Sequence, residues 1–274
     1  MLAGGRSSRF GRDKLRARID GRASLARVVA RVTPIASEVI VATSSETRRR
    51  GLARLVARST LWSVDRSDAW GPGPGGAIAR TLADSDASNL LVVPGDIPWI
   101  ETAALRRFIQ AAEGSDVEVA VPVWGSGETE HLLQWHRGAR SLDFVGDAVR
   151  GPRGTLRASE FLRAVPTTLV VPISELTRSP GTFAHLTYPR DRTEPAWRGS
   201  ASRVRRRTIV EGRPKRYYFA ARQARAAGDG PTAERSFRSE SRWYARAELP
   251  ILARHAEDDA RATVNRPRRL RRVG

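Results

Sequence analysis

Short apolar runs alternate with helical patterns through about the first 190 residues of this 274-residue chain, and that alternation constrains the fold most. The runs are Glu38–Thr43 (EVIVAT), Thr60–Val64, Asn89–Pro94 (NLLVVP), Glu118–Trp124 (EVAVPVW) and Thr167–Ile173 (TTLVVPI). Helical stretches lie between them, near residues 23–33, 46–57, 75–84 and 101–113. Strands alternating with helices build βαβ units on a mostly parallel sheet. Strands covered on both faces read as continuous β-branched runs, as these do. The expectation is an α/β, Rossmann-like, three-layer fold with a mostly parallel sheet. Ligands in such folds sit beyond the carboxyl ends of the strands, so the informative loops follow Ala3, Val64 and Val93.

Beyond Trp124 the alternation weakens. His131–His136 (HLLQWH) reads as an antiparallel strand, followed by helical patterns near 139–149 and 155–164. Around residue 200 the style changes again. Arg203–Arg207 reads as a basic linker, and from Pro214 the chain reads helical almost to Val264. Ala224–Phe237 has the small residues, Gly-Asp turn and aromatic spacing of a tetratricopeptide helical hairpin, in a single unit. The expected division is 1–199 for the α/β domain and 200–274 for a basic helical extension. Arg266–Arg272 (RPRRLRR) reads as a disordered tail.

With 40% hydrophobic and 28% charged residues the chain suits a globular protein, and no apolar run approaches the roughly 18 residues of a membrane span. Arg6 and Arg9 interrupt any apolar stretch of a secretory signal, which makes the cytoplasm the default location. There is no cysteine, which excludes disulfides, thiolate metal sites and a cysteine nucleophile. The net charge is +19, of which +12 falls in residues 200–274. Two lysines beside 46 arginines point to a codon bias, with anionic small-molecule substrates favoured over nucleic acid.

Against that arginine background Lys14 stands out. It closes the run Leu2-Ala3-Gly4-Gly5-Arg6-Ser7-Ser8-Arg9-Phe10-Gly11-Arg12-Asp13-Lys14. A lysine kept as lysine suggests a site that needs a compact ammonium rather than a planar fork. Glycines and small hydroxyls leave backbone N–H groups open to phosphate. The run is neither a Walker A sequence, which needs Gly-Lys before Ser or Thr, nor a Rossmann fingerprint. A second constellation is Val92-Val93-Pro94-Gly95-Asp96-Ile97-Pro98, with an aspartate straight after an apolar strand. A carboxylate at a sheet edge can hold Mg²⁺ against substrate phosphates. A third is Asp68-Ala69-Trp70-Gly71-Pro72-Gly73-Pro74-Gly75-Gly76, a loop whose backbone can approach a planar base closely. Asp65 and Asp68 beside it are base or ribose acceptors, or merely solvated. His131, His136, Trp124 and Trp135 read as structural, and Tyr217, Tyr218, Trp243 and Tyr244 as helical core rather than RNA-stacking residues.

Together these pieces resemble the molybdenum cofactor guanylyltransferase family of small, MobA-type nucleotidyltransferases. Residues 2–14 match its L-x-G-G-x-S-x-R-x-G-x-D-K signature at every defined position. Gly71–Gly75 looks like its G-P-L-A-G loop with two positions changed, and Gly95–Trp99 like its G-D-M-P-F segment. The likeness covers residues 1 to about 192. It implies GTP, Mg²⁺ and transfer of GMP onto the phosphate of molybdopterin with release of pyrophosphate. Ala3-Gly4-Gly5, where related cytidylyltransferases carry Ala-Ala-Gly, favours guanine.

The resemblance also implies roles. Leu2, Ala3, Gly4, Gly5, Ser7 and Lys14 bind the nucleotide with Asp68 and Gly71. Lys14, Arg9 and Asp13 serve catalysis, and Asp96 holds the metal. Arg9 would grip pyrophosphate, and Asp13 would fix the loop or position Lys14. Three features depart from the family. Only Met1–Ala3 stand where a complete first strand belongs; the N-x-N-T-P-E-D segment appears as His185-Leu-Thr187-Tyr-Pro189-Arg-Asp191; and short members lack the helices after residue 200. Those helices are expected to pack on the main domain, a partner protein or a second copy. The alternatives are another small phosphate acceptor (a phospholactate or a sugar phosphate), or an impaired homologue acting as a nucleic-acid or protein-binding module.

Overall fold

The computed structural model describes residues 1–5, 7, 9–65, 70–146, 155–193, 204 and 206–264. A small antiparallel hairpin, β1 (Arg18–Ile19) and β2 (Arg22–Ala23), leads into α1 (Ser24–Val32). Next come β3 (Ile40–Thr43), α2 (Glu46–Ala53), β4 (Leu61–Val64), α3 (Pro74–Ala83), β5 (Leu90–Val92) and α4 (Thr102–Glu113). They are followed by β6 (Val119–Val123), β7 (Gln134–His136), α5 (Arg140–Val145), α6 (Ser159–Ala164), β8 (Thr168–Pro172) and α7 (Ile173–Leu176). β9 (Thr208–Val210), α8 (Arg213–Ala226), α9 (Gly230–Arg246) and α10 (Pro250–Val264) complete the described chain. Each apolar run of the sequence became a strand, shortened by a residue or two at its ends.

The strands form a mixed sheet between two layers of helices. β3 and β4 pair in parallel, and β5, β7, β6, β8 and β9 lie side by side in that order. β7 and β9 enter antiparallel, while β6 and β8 are parallel. The residues of β6 and β8 alternate between two cores. Val119, Val121, Val123 and Val170 face α3, α6 and the C-terminal helices, whereas Ala120, Leu169 and Val171 face α1, α4 and α7. In α1 the buried Leu25, Val28, Val29 and Val32 recur at helical spacing, which fixes the face turned inward.

Among the described residues, Leu2 joins the two parts of the sheet. It makes parallel bridges to Ala42 of β3 and to Pro94 just past β5. Its N–H donates to the Val93 carbonyl at 2.8 Å, and its own carbonyl accepts from Gly95 N at 2.9 Å. Glycine at 95 suits this close approach, because a Cβ would sit 3.1 Å from the Leu2 carbonyl oxygen. The Met1 amino group donates to the Ile40 carbonyl at 2.6 Å, and burial pushes its pKa down to about 5. A cavity of about 200 Å³ lies beside it, between Ile40 and the β5 residues Leu90 and Leu91. Met1–Ala3 thus lie at the carboxyl end of the central slot, between β3 and β5.

The C-terminal region is three packed helices, one more than a hairpin, and β9, just after the stretch read as basic linker, adds an edge strand to the sheet. Asp229 caps α9 by accepting from Thr232 N, and Pro231 suits its first turn. The helices dock through a cluster of fully buried charge. Arg163 of α6 donates to both carboxylate oxygens of Glu240 at 2.8 Å, to Asp259 at 2.7 Å and to Glu160 at 3.0 Å. The Tyr218 hydroxyl donates to Glu160 at 2.9 Å. Lys215 donates to the Leu162 carbonyl and to Thr168 Oγ1. Tyr218 and Tyr244 are buried, as expected of hairpin core.

Candidate functional site

β3, β4, β5 and the Met1–Ala3 segment run in one direction, so the loops that follow them meet at one edge of the sheet. Between those loops lies a cavity of about 620 Å³. Leu2, Gly4, Gly5 and Lys14 line it from the first loop, Thr43 and Ser44 from the end of β3, and Asp65 from the end of β4. Pro72, Gly73 and Pro74 contribute from the start of α3, and Pro94, Asp96 and Leu132 close it.

The first loop is built to stay open at the cavity. Ala3 N donates to the Ala42 carbonyl at 2.8 Å, after which Gly4 and Gly5 are exposed, Gly5 with φ +100°. Ser7 adopts φ 48°, accepts from Phe10 N through its carbonyl and from Lys14 N through its hydroxyl at 3.4 Å. Phe10 is buried against Ile19 and Leu186, which anchors the tip of the loop. Asp13 accepts from Leu15 N at 3.1 Å and from Arg48 of α2 at 3.1 Å. Arg48 also donates to the Ala3 carbonyl at 2.7 Å. Asp13 therefore fixes the loop and sets where Lys14 emerges. Arg9 is exposed on the turn at the tip and is not among the lining residues.

Lys14 and Asp96 meet in an ion pair inside the cavity. His185 approaches the other oxygen of Asp96 at 3.4 Å and bonds Glu130 at 2.7 Å, while Trp124 Nε1 donates to Glu130. Leu186 N donates to the Asp96 carbonyl at 2.8 Å, which ties the segment around His185 to the loop after β5. Burial opposes charge on Asp96, but the bond and charge of His185 and the Lys14 ammonium hold its carboxyl well below the usual carboxylate range. Burial opposes charge on His185 too. The bonds and charges of Asp96 and Glu130 outweigh it and raise its pKa to about 10, so the imidazolium persists at neutral pH.

Sequence reasoning missed His185 and Glu130 as members of this cluster. It noted His185 only as a replaced asparagine, and the pairing with Glu130 spans 55 residues, beyond any local motif. Asp68 lies outside the described residues. Gly71, with φ +70°, is not among the lining residues; its carbonyl accepts from Arg80 at 3.3 Å. His136 is buried with Nδ1 against Ser141 Oγ at 3.2 Å, and burial lowers its pKa to about 3. Trp124 and Trp135 are buried in the core, as expected.

The cluster decides what a metal would find. Among the described residues no three His, Asp or Glu side chains converge into a complete metal site. Asp96 offers one carboxylate, with a cation on each oxygen. Such a donor set suits Mg²⁺, which takes one or two carboxylates and completes its shell with phosphates and water.

Fold and site define a nucleotidyltransferase. The chain belongs to the MobA-like NTP transferase domain family, whose model matches residues 1–165. It is 28% identical over 151 residues to a "Probable molybdenum cofactor guanylyltransferase" of Thermococcus sibiricus, covering 53% of this chain and 69% of that protein. It is 31% identical over 135 residues to a molybdenum cofactor guanylyltransferase of Shewanella baltica, covering 48% of this chain and 65% of that one. The chain thus spans about two thirds of the length of these relatives. Among solved structures, molybdopterin-guanine dinucleotide biosynthesis protein A of Archaeoglobus fulgidus shares the fold. Its TM-score is 0.56 at 16% identity, over 70% of this chain and 92% of that one.

Proposed function

We propose that this protein transfers GMP from GTP to the phosphate of a molybdopterin-type acceptor in the presence of Mg²⁺. The observation that carries the reading is the convergence of Gly4, Gly5, Lys14 and Asp96 on one cavity at the carboxyl edge of the sheet. An acceptor phosphate oxygen attacks the α-phosphorus, the bond to the bridging oxygen breaks, and pyrophosphate leaves with the electron pair. Such displacements need in-line positioning and charge neutralisation more than covalent chemistry.

In this reading the N–H groups of Gly4 and Gly5 receive the triphosphate. Lys14 exchanges Asp96 for the phosphates and neutralises charge that develops around the α-phosphorus. Arg9 meets the leaving pyrophosphate from the rim of the loop. Asp96, oriented by His185, is the residue that would hold the metal. Mg²⁺ bound there would supply charge neutralisation on the phosphate oxygens. Asp65, which lines the cavity, is the described acid assigned to the nucleoside in this reading, beside Asp68, which lies outside the described residues. A cytoplasmic location belongs to this reading, because GTP and Mg²⁺ are drawn from that pool.

Thermal shift with GTP or CTP, each with and without Mg²⁺, tests the nucleotide; a larger Mg²⁺-dependent shift with GTP is expected. Pyrophosphate release with purified molybdopterin, a phospholactate and a sugar phosphate tests the acceptor. Release with one of the last two alone would replace molybdopterin. His185 and Thr187, which stand where the family has asparagines, His185 being beside Asp96, make that second acceptor class the reading to test against.

A further inference from the structure

Helix α3 carries a charge that neither its packing nor the phosphate chemistry requires. Residues Gly75–Leu82 are all buried, and all but Arg80 and Thr81 are apolar or glycine. The Arg80 side chain is only 1% exposed. A guanidinium keeps its proton under all ordinary conditions, so burying one is expensive unless carboxylates or carbonyls receive its N–H groups. One of its partners lines the cavity, and another belongs to the glycine–proline loop beside it. Nη1 donates to Asp65 at 2.9 Å, and Nη2 donates to the Gly71 carbonyl at 3.3 Å.

The surrounding geometry is built for that reach. Gly76 lies one turn before Arg80, and a Cβ on it would come within 2.0 Å of the same Gly71 carbonyl oxygen. Gly75 is equally constrained, with a Cβ position 2.3 Å from the Leu156 carbonyl oxygen. The glycine–proline loop is thus pressed onto the start of α3, and Arg80 ties it to the end of β4. Asp65 lines the cavity at 17% side-chain exposure, so its carboxylate is both anchored from behind and open in front.

Resting on the proposed use of GTP, we infer that Arg80 is a positioning residue for base selection: it holds the Asp65 carboxylate, charged and oriented, against the donor edge of guanine. A carboxylate only accepts hydrogen bonds. Guanine offers N1–H and the 2-amino group side by side, a pair that one carboxylate can take. Adenine presents a lone pair at N1 to the same acceptor and is repelled. Hypoxanthine keeps N1–H but lacks the amino group. A fixed anion therefore ranks GTP above ITP and ITP above ATP. Specificity then comes from a repulsive contact as well as an attractive one.

Calorimetric titration of tripolyphosphate, GTP, ITP and ATP with Mg²⁺ tests this in wild type, Arg80→Met, Arg80→Lys and Asp65→Asn. Arg80→Met and Asp65→Asn should weaken GTP by roughly 10- to 100-fold, the worth of a charge-assisted hydrogen bond, and level the three nucleotides. Tripolyphosphate binding should be unchanged in both, and Arg80→Lys should recover part of the ranking. Wild-type GTP affinity and ranking in both variants would overturn the inference. So would equal losses of GTP and tripolyphosphate, which mark a merely structural role. Where Arg80→Met melts far below wild type, the near-isosteric Asp65→Asn decides between these outcomes. A wild type that binds tripolyphosphate but ranks no nucleotide refutes base selection alone; one that binds neither removes the nucleotide reading itself.

Discussion

Two charge clusters in this molecule use the same kinds of side chain and behave in opposite ways. At the cavity, Lys14, Asp96, His185 and Glu130 retain 24, 14, 22 and 9% side-chain exposure. Under the C-terminal helices, Arg163, Glu160, Glu240 and Asp259 retain none. In the sealed cluster one guanidinium is saturated by carboxylates from three elements, and no partner can be exchanged without leaving a charge stranded. In the open cluster each oxygen of Asp96 has a cation that an incoming phosphate or metal can replace. Exposure of 9 to 24% against none thus separates an open cluster from a clasp.

The largest effect should come from cutting the clasp. Arg163→Met strands Glu240 and Asp259, which typically costs about 3–5 kcal/mol for a broken buried pair. In thermal denaturation that corresponds to a drop of roughly 10 °C. Unchanged melting would mean that the cluster contributes nothing to docking α9 and α10. In the open cluster the signature should invert. Lys14→Ala and Asp96→Ala should each lower the GMP-transfer rate by about 10²–10³ while melting stays near wild type. Normal turnover by either variant would remove that residue from the mechanism.

A smaller effect probes orientation. His185→Asn removes the clamp between Asp96 and Glu130 and should raise the Mg²⁺ concentration for half-maximal rate by about 10-fold, in line with other residues that orient metal ligands. An unchanged Mg²⁺ curve would show that Lys14 and the loop suffice. The smallest effect belongs to pH. Burial lowers the pKa of Lys215 to about 7 from its ordinary 10.5. Between those values the unfolded chain binds the extra proton, so stability should rise with pH across that window and be lowest below it. Lys215→Met should flatten the rise in a series of denaturant melts; an identical slope would assign it to another group.

Which parts were legible in the sequence follows the same division. The first loop and Asp96 could be read because their chemistry is written in consecutive residues. Glu130, His185 and Arg80 could not, since each acts through a partner brought near only by the sheet. Arg163 was hidden by composition, as one arginine among 46. β9 went unseen because a three-residue edge strand carries almost no periodicity and falls between the basic linker and the helical stretch that begins at Pro214. The strands and helices of the first half were visible, and so was the antiparallel β7 within His131–His136, whereas the antiparallel entry of β9 depends on connections that no local pattern encodes.

The scarcity of lysine has a practical corollary. Of the two lysines in this sequence, Lys215 is walled in by Leu162 and Thr168. That leaves Lys14 as the lysine within reach of solvent, and it sits in the cavity. A lysine-directed reagent should therefore modify this folded domain at Lys14, and ligands that fill the cavity should shield it. Mass spectrometry of the modified protein would then count occupied molecules directly, with no radiolabel and no coupled assay.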